Sequence, residues 1–193
     1  MQRRLAAILA ADVVGYSRVM EVDEVGTLER PKADRRELVE PIIAEHHGHI
    51  VKLIGDGILV EFASVVDAVS AAVAIQEGMA TRNTGVAEDR RPVLRIGIHL
   101  GDVIVEDDDI YGDGANVASR LEGLAKPGGM CISRQVLDQI EGKLRLAVRD
   151  LGTQRVKKSS GQLVFSPSAA APPSLKSAAT RSCPSKRGVG WPP

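Results

Sequence analysis

The sequence has no excess of either charge, only two cysteines and no long apolar run. Its 25 basic residues balance its 25 acidic ones, so no bulk field attracts nucleic acid or an anionic membrane surface. Cys131 and Cys183 do not resemble a disulfide framework and fit a reducing compartment. No segment reaches the roughly 18 apolar residues of a membrane span, and Asp12 interrupts the apolar start before it resembles a signal peptide. We therefore expect a cytoplasmic protein, with no nucleic-acid partner and no membrane insertion, that holds any charged ligand in a local site.

The sequence does contain enough apolar residues for one sizeable core. Of its 193 residues, 44% are hydrophobic, which predicts one domain with short additions. From residue 166 the composition changes to proline, serine and alanine without an apolar period, as is typical of a disordered tail. We predict a folded domain over residues 1–165 and a disordered tail over residues 166–193.

Apolar patterning predicts an α+β sandwich with helices on one face of a mainly antiparallel sheet. The predicted segments are a strand over 4–13, a helix over 23–47 that Pro31 and Pro41 interrupt, a hairpin over 49–62, a helix capped by Ser64, a hairpin over 93–106 and a short helix within 111–129. Further short strands are predicted over 130–133, 144–148 and 163–165. Polar residues at the strand tips should then lie along one rim.

Two carboxylates stand where apolar strands end or turn. Asp12 follows an unbroken apolar run, and Asp56 lies between Gly55 and Gly57 at the predicted hairpin. An aspartate at a turn needs no function. The two segments are expected to be neighbours, however, and two carboxylates at adjacent strand ends suit Mg²⁺ or Mn²⁺ while leaving room for water and phosphate oxygens.

The short helix carries a second candidate pair. Asn116 and Arg120 are four residues apart and therefore share a helix face. Arginine offers a fixed fork for phosphate, and asparagine can position a ribose. The glycine-rich turn over residues 112–114 exposes backbone N–H groups ahead of the helix, a weak phosphate-binding signal. A solvated helix face is the alternative interpretation.

Other polar residues have ordinary explanations when each is taken alone. Lys52 in an apolar strand is typical of a side chain that extends to solvent, and Asp109 is one of a cluster of solvated acids. The histidines at 46, 47 and 49 lack a carboxylate or cysteine partner at ligand spacing, which favours surface residues over a metal site.

Taken together, four segments resemble the catalytic domain of the class III nucleotidyl cyclases. They are ADVVGYS, VKLIGDGILVEF, RIGIHLGDV and DDIYGDGANVASRLEGLAKPGG, within a resemblance that covers residues 4 to 165. It implies a ferredoxin-like βαββαβ sandwich with extra short helices and strands at the C-terminal end. It also implies the conversion of ATP or GTP to the 3′,5′-cyclic monophosphate and pyrophosphate.

The resemblance assigns roles to individual residues. Asp12 and Asp56 would bind two Mg²⁺ or Mn²⁺ ions, with the Val13 backbone as a further oxygen donor. Asn116 would act through the ribose and Arg120 on the transferred phosphate. Lys52 and Asp109 match the base-selecting pair: a lysine donor and a carboxylate acceptor fit the ring nitrogen and amine of adenine, whereas guanine presents the reverse pattern.

The resemblance also implies a head-to-tail homodimer with the active site between subunits. Asp12 and Asp56 would come from one protomer, and the base-selecting pair, Asn116, Arg120 and a triphosphate-binding lysine from its partner. Lys157 aligns best with that lysine, although Lys158 replaces an expected glycine. Pro31 is a second departure, because similar proteins continue a helix at its position.

An adenylate cyclase is therefore the principal prediction. A guanylate cyclase, or a cyclase of relaxed specificity, is the second, and Lys52 and Asp109 argue against it. A catalytically silent module that dimerises or binds nucleotide is the third, since Pro31 and the altered end depart from the family pattern. A two-metal phosphohydrolase is the fourth, and the sequence offers no evident base to activate water for it.

Overall fold

The computed structural model describes residues 2–14, 30–106, 109–156 and 159–166. Within them the strands are β1 (Gln2–Val13), β2 (His49–Ile54), β3 (Gly57–Phe62), β4 (Leu94–Glu106), β5 (Asp109–Tyr111), β6 (Met130–Ser133), β7 (Arg149–Val156) and β8 (Ser159–Ser166). The helices are α1 (residues 30–45), α2 (Val65–Arg82), α3 (Asp113–Leu124) and α4 (Arg134–Ile140), with one 3₁₀ turn over Glu88–Arg90. Among these helices, none is both long and apolar enough to cross a membrane.

The first four strands confirm the ferredoxin-like core. They lie in the order β2-β3-β1-β4, and each neighbouring pair is antiparallel. With α1 between β1 and β2 and α2 between β3 and β4, the chain order is βαββαβ. β6 then pairs with β4 in parallel, β8 and β7 extend that edge, and β5 folds back on β4. Of these added strands, β6 coincides with the strand predicted over 130–133, and β8 includes the strand predicted over 163–165.

Helices cover both faces of the sheet, so the prediction of helices on one face was wrong. One face of β1, including Leu9, packs with residues of α1, α2 and α4. The other face, including Ile8, packs with Ala118 of α3. Residues 6–11 of β1 are all buried, and a strand that is apolar on both faces requires cover on both. The unbroken apolar run in the sequence of β1 already indicated that both of its faces are covered.

Pro41 distorts α1 without ending it. Residues Arg35–Val39 form a π-helical segment, and the Glu40 N–H bonds the Arg35 carbonyl instead of the carbonyl four residues back. A proline inside a helix lacks an N–H donor and crowds the carbonyl four residues before it. The wider π turn directly before Pro41 accommodates both effects. The described helix runs from residue 30, and the earlier part of the predicted helix lies outside the described residues.

The first predicted hairpin is confirmed, and the second was wrong. β2 and β3 are joined by the two residues Gly55 and Asp56, with φ +62° at Gly55. The segments predicted as a second hairpin instead form the single strand β4, which pairs with β1 from Leu94 to Val105. Because the chain stays extended through residues 101 and 102, the ladder of hydrogen bonds between β4 and β1 is continuous.

Two helix predictions were correct and one strand prediction was not. Ser64 caps α2, because its side chain accepts a hydrogen bond from the Asp67 N–H at 3.2 Å. α3 is the predicted short helix and ends before Pro127. Residues 144–148 form no strand, and β7 begins at Arg149. Residues 167–193 of the predicted tail lie outside the described residues, so the domain boundary stays a prediction.

Candidate active site

The fold brings Asp12 and Asp56 together. Asp12 is the second-last residue of β1, and Asp56 lies in the turn that begins β3. β1 and β3 are paired, with Ala11 opposite Ile58 at this end of the ladder. The end of one strand and the turn of its neighbour therefore occupy the same rim of the sheet, as the sequence predicted.

Asp56 interacts directly with Asp12. Burial raises the pKa of the Asp56 carboxyl, and the negative charge of Asp12 and a hydrogen bond between the two side chains raise it further. Backbone N–H groups of Asp56 itself and of Val13 oppose this and lower the pKa. The pair is thus two carboxylates at interaction distance that repel each other when both are ionised.

This donor set suits a hard divalent cation. Carboxylate oxygens are the ligands that Mg²⁺ prefers, and in nucleotide sites Mg²⁺ is held by one or two carboxylates together with waters and phosphate oxygens. Within the described ranges, no group of three or more His, Cys, Asp or Glu residues could hold a metal ion, the three histidines near residue 47 included. Asp12 and Asp56 therefore fit a cation that shares its remaining ligands with substrate, rather than a closed protein site.

There is open space beside the Asp12–Asp56 pair, next to a glycine and at a cavity. A Cβ atom on Gly57 would lie 3.3 Å from the Ala11 carbonyl oxygen and 3.6 Å from Oδ1 of Asp12. A cavity of about 110 Å³ lies next to Asp56, between the end of β1, the start of β3 and the start of the described part of α1. Pro31 is among its lining residues, so one departure from the family pattern lies close to the carboxylate pair.

Two charged residues beside the pair were missed by the sequence predictions. Arg95 is the register partner of Asp12 on β4, and its Nη2 lies 3.3 Å from Oδ2 of Asp12. Its Nε lies 2.9 Å from Oε1 of Glu122 on α3. An arginine within the apolar strand of RIGIHLG was a signal for a paired or functional residue, but only the register between β1 and β4 identifies its partner.

Glu122 belongs to the same electrostatic cluster. Burial raises the pKa of its carboxyl, the charge of Arg95 lowers it, and the charges of Asp12 and Asp56 raise it. The Arg95 guanidinium thus contacts two carboxylates, those of Asp12 and Glu122, and the charge of Asp56 also acts on Glu122. Because like charges at short range are costly in a partly buried site, this cluster favours binding of further positive charge.

Asn116 and Arg120 share the outer face of α3. Both side chains are exposed, while Val117, Ala118 and Leu121 are buried against the sheet. Asn116 donates a long hydrogen bond of 3.5 Å to the Gly112 carbonyl. The structure confirms that the two lie on one face of a helix.

Asn116 and Arg120 leave α3 on a different side from Glu122. Glu122 points from α3 towards Arg95. On a helix of 3.6 residues per turn, Arg120, two residues away, is separated from Glu122 by about 160°, and Asn116, six residues away, by about 120°. Neither side chain therefore leaves the helix in the direction of Glu122 and Arg95.

The base-selecting candidates lie on neighbouring strands. Lys52 is exposed, and its register partner on β3 is Leu59, which packs on the α3 side of the sheet. Asp109 begins β5, and β5 approaches β2 with Cα atoms within 8 Å. The side chain of Asp109 lies outside the described part of the chain. Lys157 also falls outside the described residues, in the gap between β7 and β8.

Comparison with known proteins identifies the family. Residues 3–165 match the family "Adenylate and Guanylate cyclase catalytic domain". The chain belongs to this family. A cyclase catalytic domain thus accounts for the sheet, for α3 and for the four sequence segments that carried the resemblance.

Two curated relatives of this cyclase domain have adenylate cyclase names. A Rhizobium meliloti protein named "Putative adenylate cyclase 3" is 50% identical over 157 residues, which are 81% of this chain and 27% of that protein. An adenylate cyclase of Streptomyces coelicolor is 31% identical over 147 residues, 72% of this chain and 35% of that protein. The chain therefore spans about a third or less of these relatives.

A solved structure gives the same fold. The adenylate/guanylate cyclase/hydrolase from Silicibacter pomeroyi superposes with a TM-score of 0.81 at 42% identity, covering 89% of this chain and all of the other. The adenylyl cyclase CyaB from P. aeruginosa superposes with a TM-score of 0.73 at 24% identity, which supports the fold alone.

Proposed function

We propose that this cyclase domain is an adenylate cyclase, which converts ATP to 3′,5′-cyclic AMP and pyrophosphate. The observation that carries the proposal is the convergence of Asp12 and Asp56 at one rim of the sheet. Family membership supports the cyclase reaction but leaves the choice of ATP or GTP open. The adenylate cyclase names of the relatives favour ATP.

Asp12 and Asp56 are the residues that would hold the divalent ions, with the Val13 backbone as an added oxygen donor. We propose two Mg²⁺ or Mn²⁺ ions per site, in line with the general use of divalent metals in this family. When bound, such ions favour ionisation of the ribose 3′-OH and neutralise triphosphate charge. The protein holds its two carboxylates at the end of a paired ladder, so they need little reorganisation when substrate arrives.

Asn116 and Arg120 supply the second half of the chemistry. The Arg120 guanidinium would contact oxygens of the phosphoryl group during in-line displacement, because its planar fork matches phosphate geometry. Asn116 would orient the ribose so that the 3′-oxygen lies in line with that phosphorus atom. These roles consist of positioning and charge stabilisation, which dominate phosphoryl transfer.

We propose that the two halves of the site come from two chains. Asn116 and Arg120 lie on the exposed face of α3, on a different side of the helix from Glu122, which supports this assignment. A head-to-tail homodimer would bring α3 of one protomer to the carboxylates of its partner and form two equivalent sites. Lys157 of the protomer that supplies Arg120 is our candidate ligand for the triphosphate.

Lys52 and Asp109 would select adenine. Lys52 can only donate hydrogen bonds, and an ionised Asp109 can only accept them. Adenine offers a ring acceptor and an amine donor, whereas guanine would leave polar groups unpaired against both side chains. Sites built on such pairing reject the mismatched ligand strongly. We also propose a cytoplasmic location, in line with the expectation from the composition of the chain.

One experiment tests the enzyme and its base together. The folded, dimeric protein is offered Mn²⁺ with ATP and, separately, with GTP, and the products are identified by mass spectrometry. Cyclic AMP with little cyclic GMP is expected. Cyclic GMP as the main product would make the chain a guanylate cyclase, and no cyclic product from either nucleotide would favour the silent module.

A further inference from the structure

Arg95 stands between two carboxylates that belong to different elements. Its guanidinium lies 3.3 Å from Asp12 of β1 and 2.9 Å from Glu122 of α3. Asp12 is one of the residues to which we assign the divalent ion, and Glu122 is not. A single cationic side chain therefore contacts both a candidate metal ligand and a second acid.

The Glu122 contact is the more buried of the two. The Glu122 side chain is 13% exposed, compared with 33% for Asp12. Arg95 Nη2 donates a hydrogen bond of 3.3 Å to Oδ2 of Asp12, whereas Arg95 Nε and Glu122 Oε1, 2.9 Å apart, are both buried and form an ion pair without an aligned hydrogen bond. Because a buried charge that loses its partner is costly, Glu122 holds the guanidinium by its charge, and the hydrogen bond to Asp12 is the contact that a cation has to displace.

Close packing of α3 on β4 places Glu122 beside that strand. A Cβ atom on Gly97 would lie 2.2 Å from the Glu122 backbone nitrogen and from the Ala118 carbonyl oxygen. The helix backbone thus occupies the space where a side chain at 97 would be. Of the three charged groups, Arg95 has the longest and most adjustable side chain, and it is the one that can shift between its two partners.

We propose that Glu122 is a positioning residue: by holding the Arg95 guanidinium, it keeps Asp12 available to a divalent cation. The inference rests on the metal site of the proposed function. Arg95 and the cation compete for the same carboxylate of Asp12. The affinity for the cation therefore depends on how firmly Glu122 retains Arg95.

The inference predicts opposite effects for two variants that each remove one charge. Glu122→Gln leaves Asp12 as the only carboxylate contacting Arg95, so Mn²⁺ should bind about five- to tenfold more weakly, in the range of coupling between contacting charges. Arg95→Gln removes the competitor, so Mn²⁺ should bind more tightly by a similar factor. The double variant should behave like Arg95→Gln, because Glu122 has nothing left to hold.

The dissociation constant of Mn²⁺ alone is measured by electron paramagnetic resonance on the full chain without nucleotide. Arg95→Lys keeps a competing cation and should bind Mn²⁺ nearly as the parent protein does. Glu61→Gln is the matched control, since Glu61 is also a buried acid paired with an arginine, the exposed Arg4 at 2.7 Å. That control should leave Mn²⁺ affinity unchanged.

Several results would overturn the inference. An unchanged Mn²⁺ affinity in Glu122→Gln would do so. Purely additive effects of the two substitutions on Mn²⁺ affinity in the double variant would also do so, because additivity indicates a general effect of net charge rather than competition. If Glu122→Gln fails to fold, Arg95→Gln decides, and a weaker or unchanged Mn²⁺ affinity there rejects competition. Equal Mn²⁺ binding by the parent protein and Asp12→Ala would instead overturn the metal site itself, and with it the proposed function.

Discussion

A Cβ atom on Gly97 would lie 2.2 Å from the backbone nitrogen of Glu122. The backbone of α3 therefore passes through the space that a side chain at position 97 would fill. This close packing sets the distance from the sheet of the helix that carries Asn116 and Arg120. The absence of a side chain at one strand position therefore sets the place of two proposed catalytic residues.

Gly97→Ala should destabilise the protein and lower its activity. The added methyl group overlaps helix backbone, which cannot rotate away as a side chain could, so we expect a loss of about 3 kcal/mol or more in the free energy of unfolding. Gly123→Ala in α3 is the control, because a Cβ atom there meets nothing within 4 Å. Since alanine favours a helix over glycine by about 0.5–1 kcal/mol, that variant should gain stability. Urea denaturation measures both, and an unaffected Gly97→Ala protein would contradict the packing described.

Asp56→Asn should strongly reduce turnover without unfolding the chain. The substitution removes the charge that repels Asp12, so stability without metal should be equal or higher. Cyclic AMP formation should fall by about 100-fold or more, the scale for losing one preorganised electrostatic contact. Mn²⁺ raises the melting temperature of any protein whose folded state binds it, and this shift should vanish in the variant. Retained activity would remove Asp56 from the metal site.

Two inactive variants should complement each other. Asp12→Ala and Arg120→Ala damage opposite halves of the shared site, so each heterodimer keeps one intact site. After random exchange, about one quarter of the parental activity per chain should return, because half of the dimers carry one of two sites. Asp12→Ala mixed with Asp56→Ala damages the same half in both chains and should restore nothing. No recovery despite demonstrated heterodimers would count against the shared site.

Asp109→Asn should weaken the preference for ATP. An asparagine can turn its amide donor towards the guanine carbonyl, which the carboxylate cannot do. The ratio of kcat/KM for ATP to that for GTP should fall by about tenfold or more. Asp108→Asn, in the neighbouring acid of the same cluster, should leave the ratio unchanged. Equal ratios in the two variants would show that Asp109 does not read the base.

The sequence by itself determined the elements whose signals are local. The Ser64 cap, the glycine-rich turn between β2 and β3 and the spacing of Asn116 and Arg120 all depend on residues a few positions apart. The apolar run of β1 followed by Asp12 also placed a carboxylate at the end of a buried strand. Four ordered segments were enough to identify the cyclase family.

Only the tertiary structure decided which distant residues meet. The pairing of β1 with β4 kept residues 94–106 in one strand where local glycine suggested a turn, and it set Arg95 opposite Asp12. The close packing of α3 against Gly97 then placed Glu122 next to the Arg95 guanidinium. Strand register and helix packing depend on the complementarity of surfaces far apart in the chain. For that reason, no short window of the sequence could have assigned these partners.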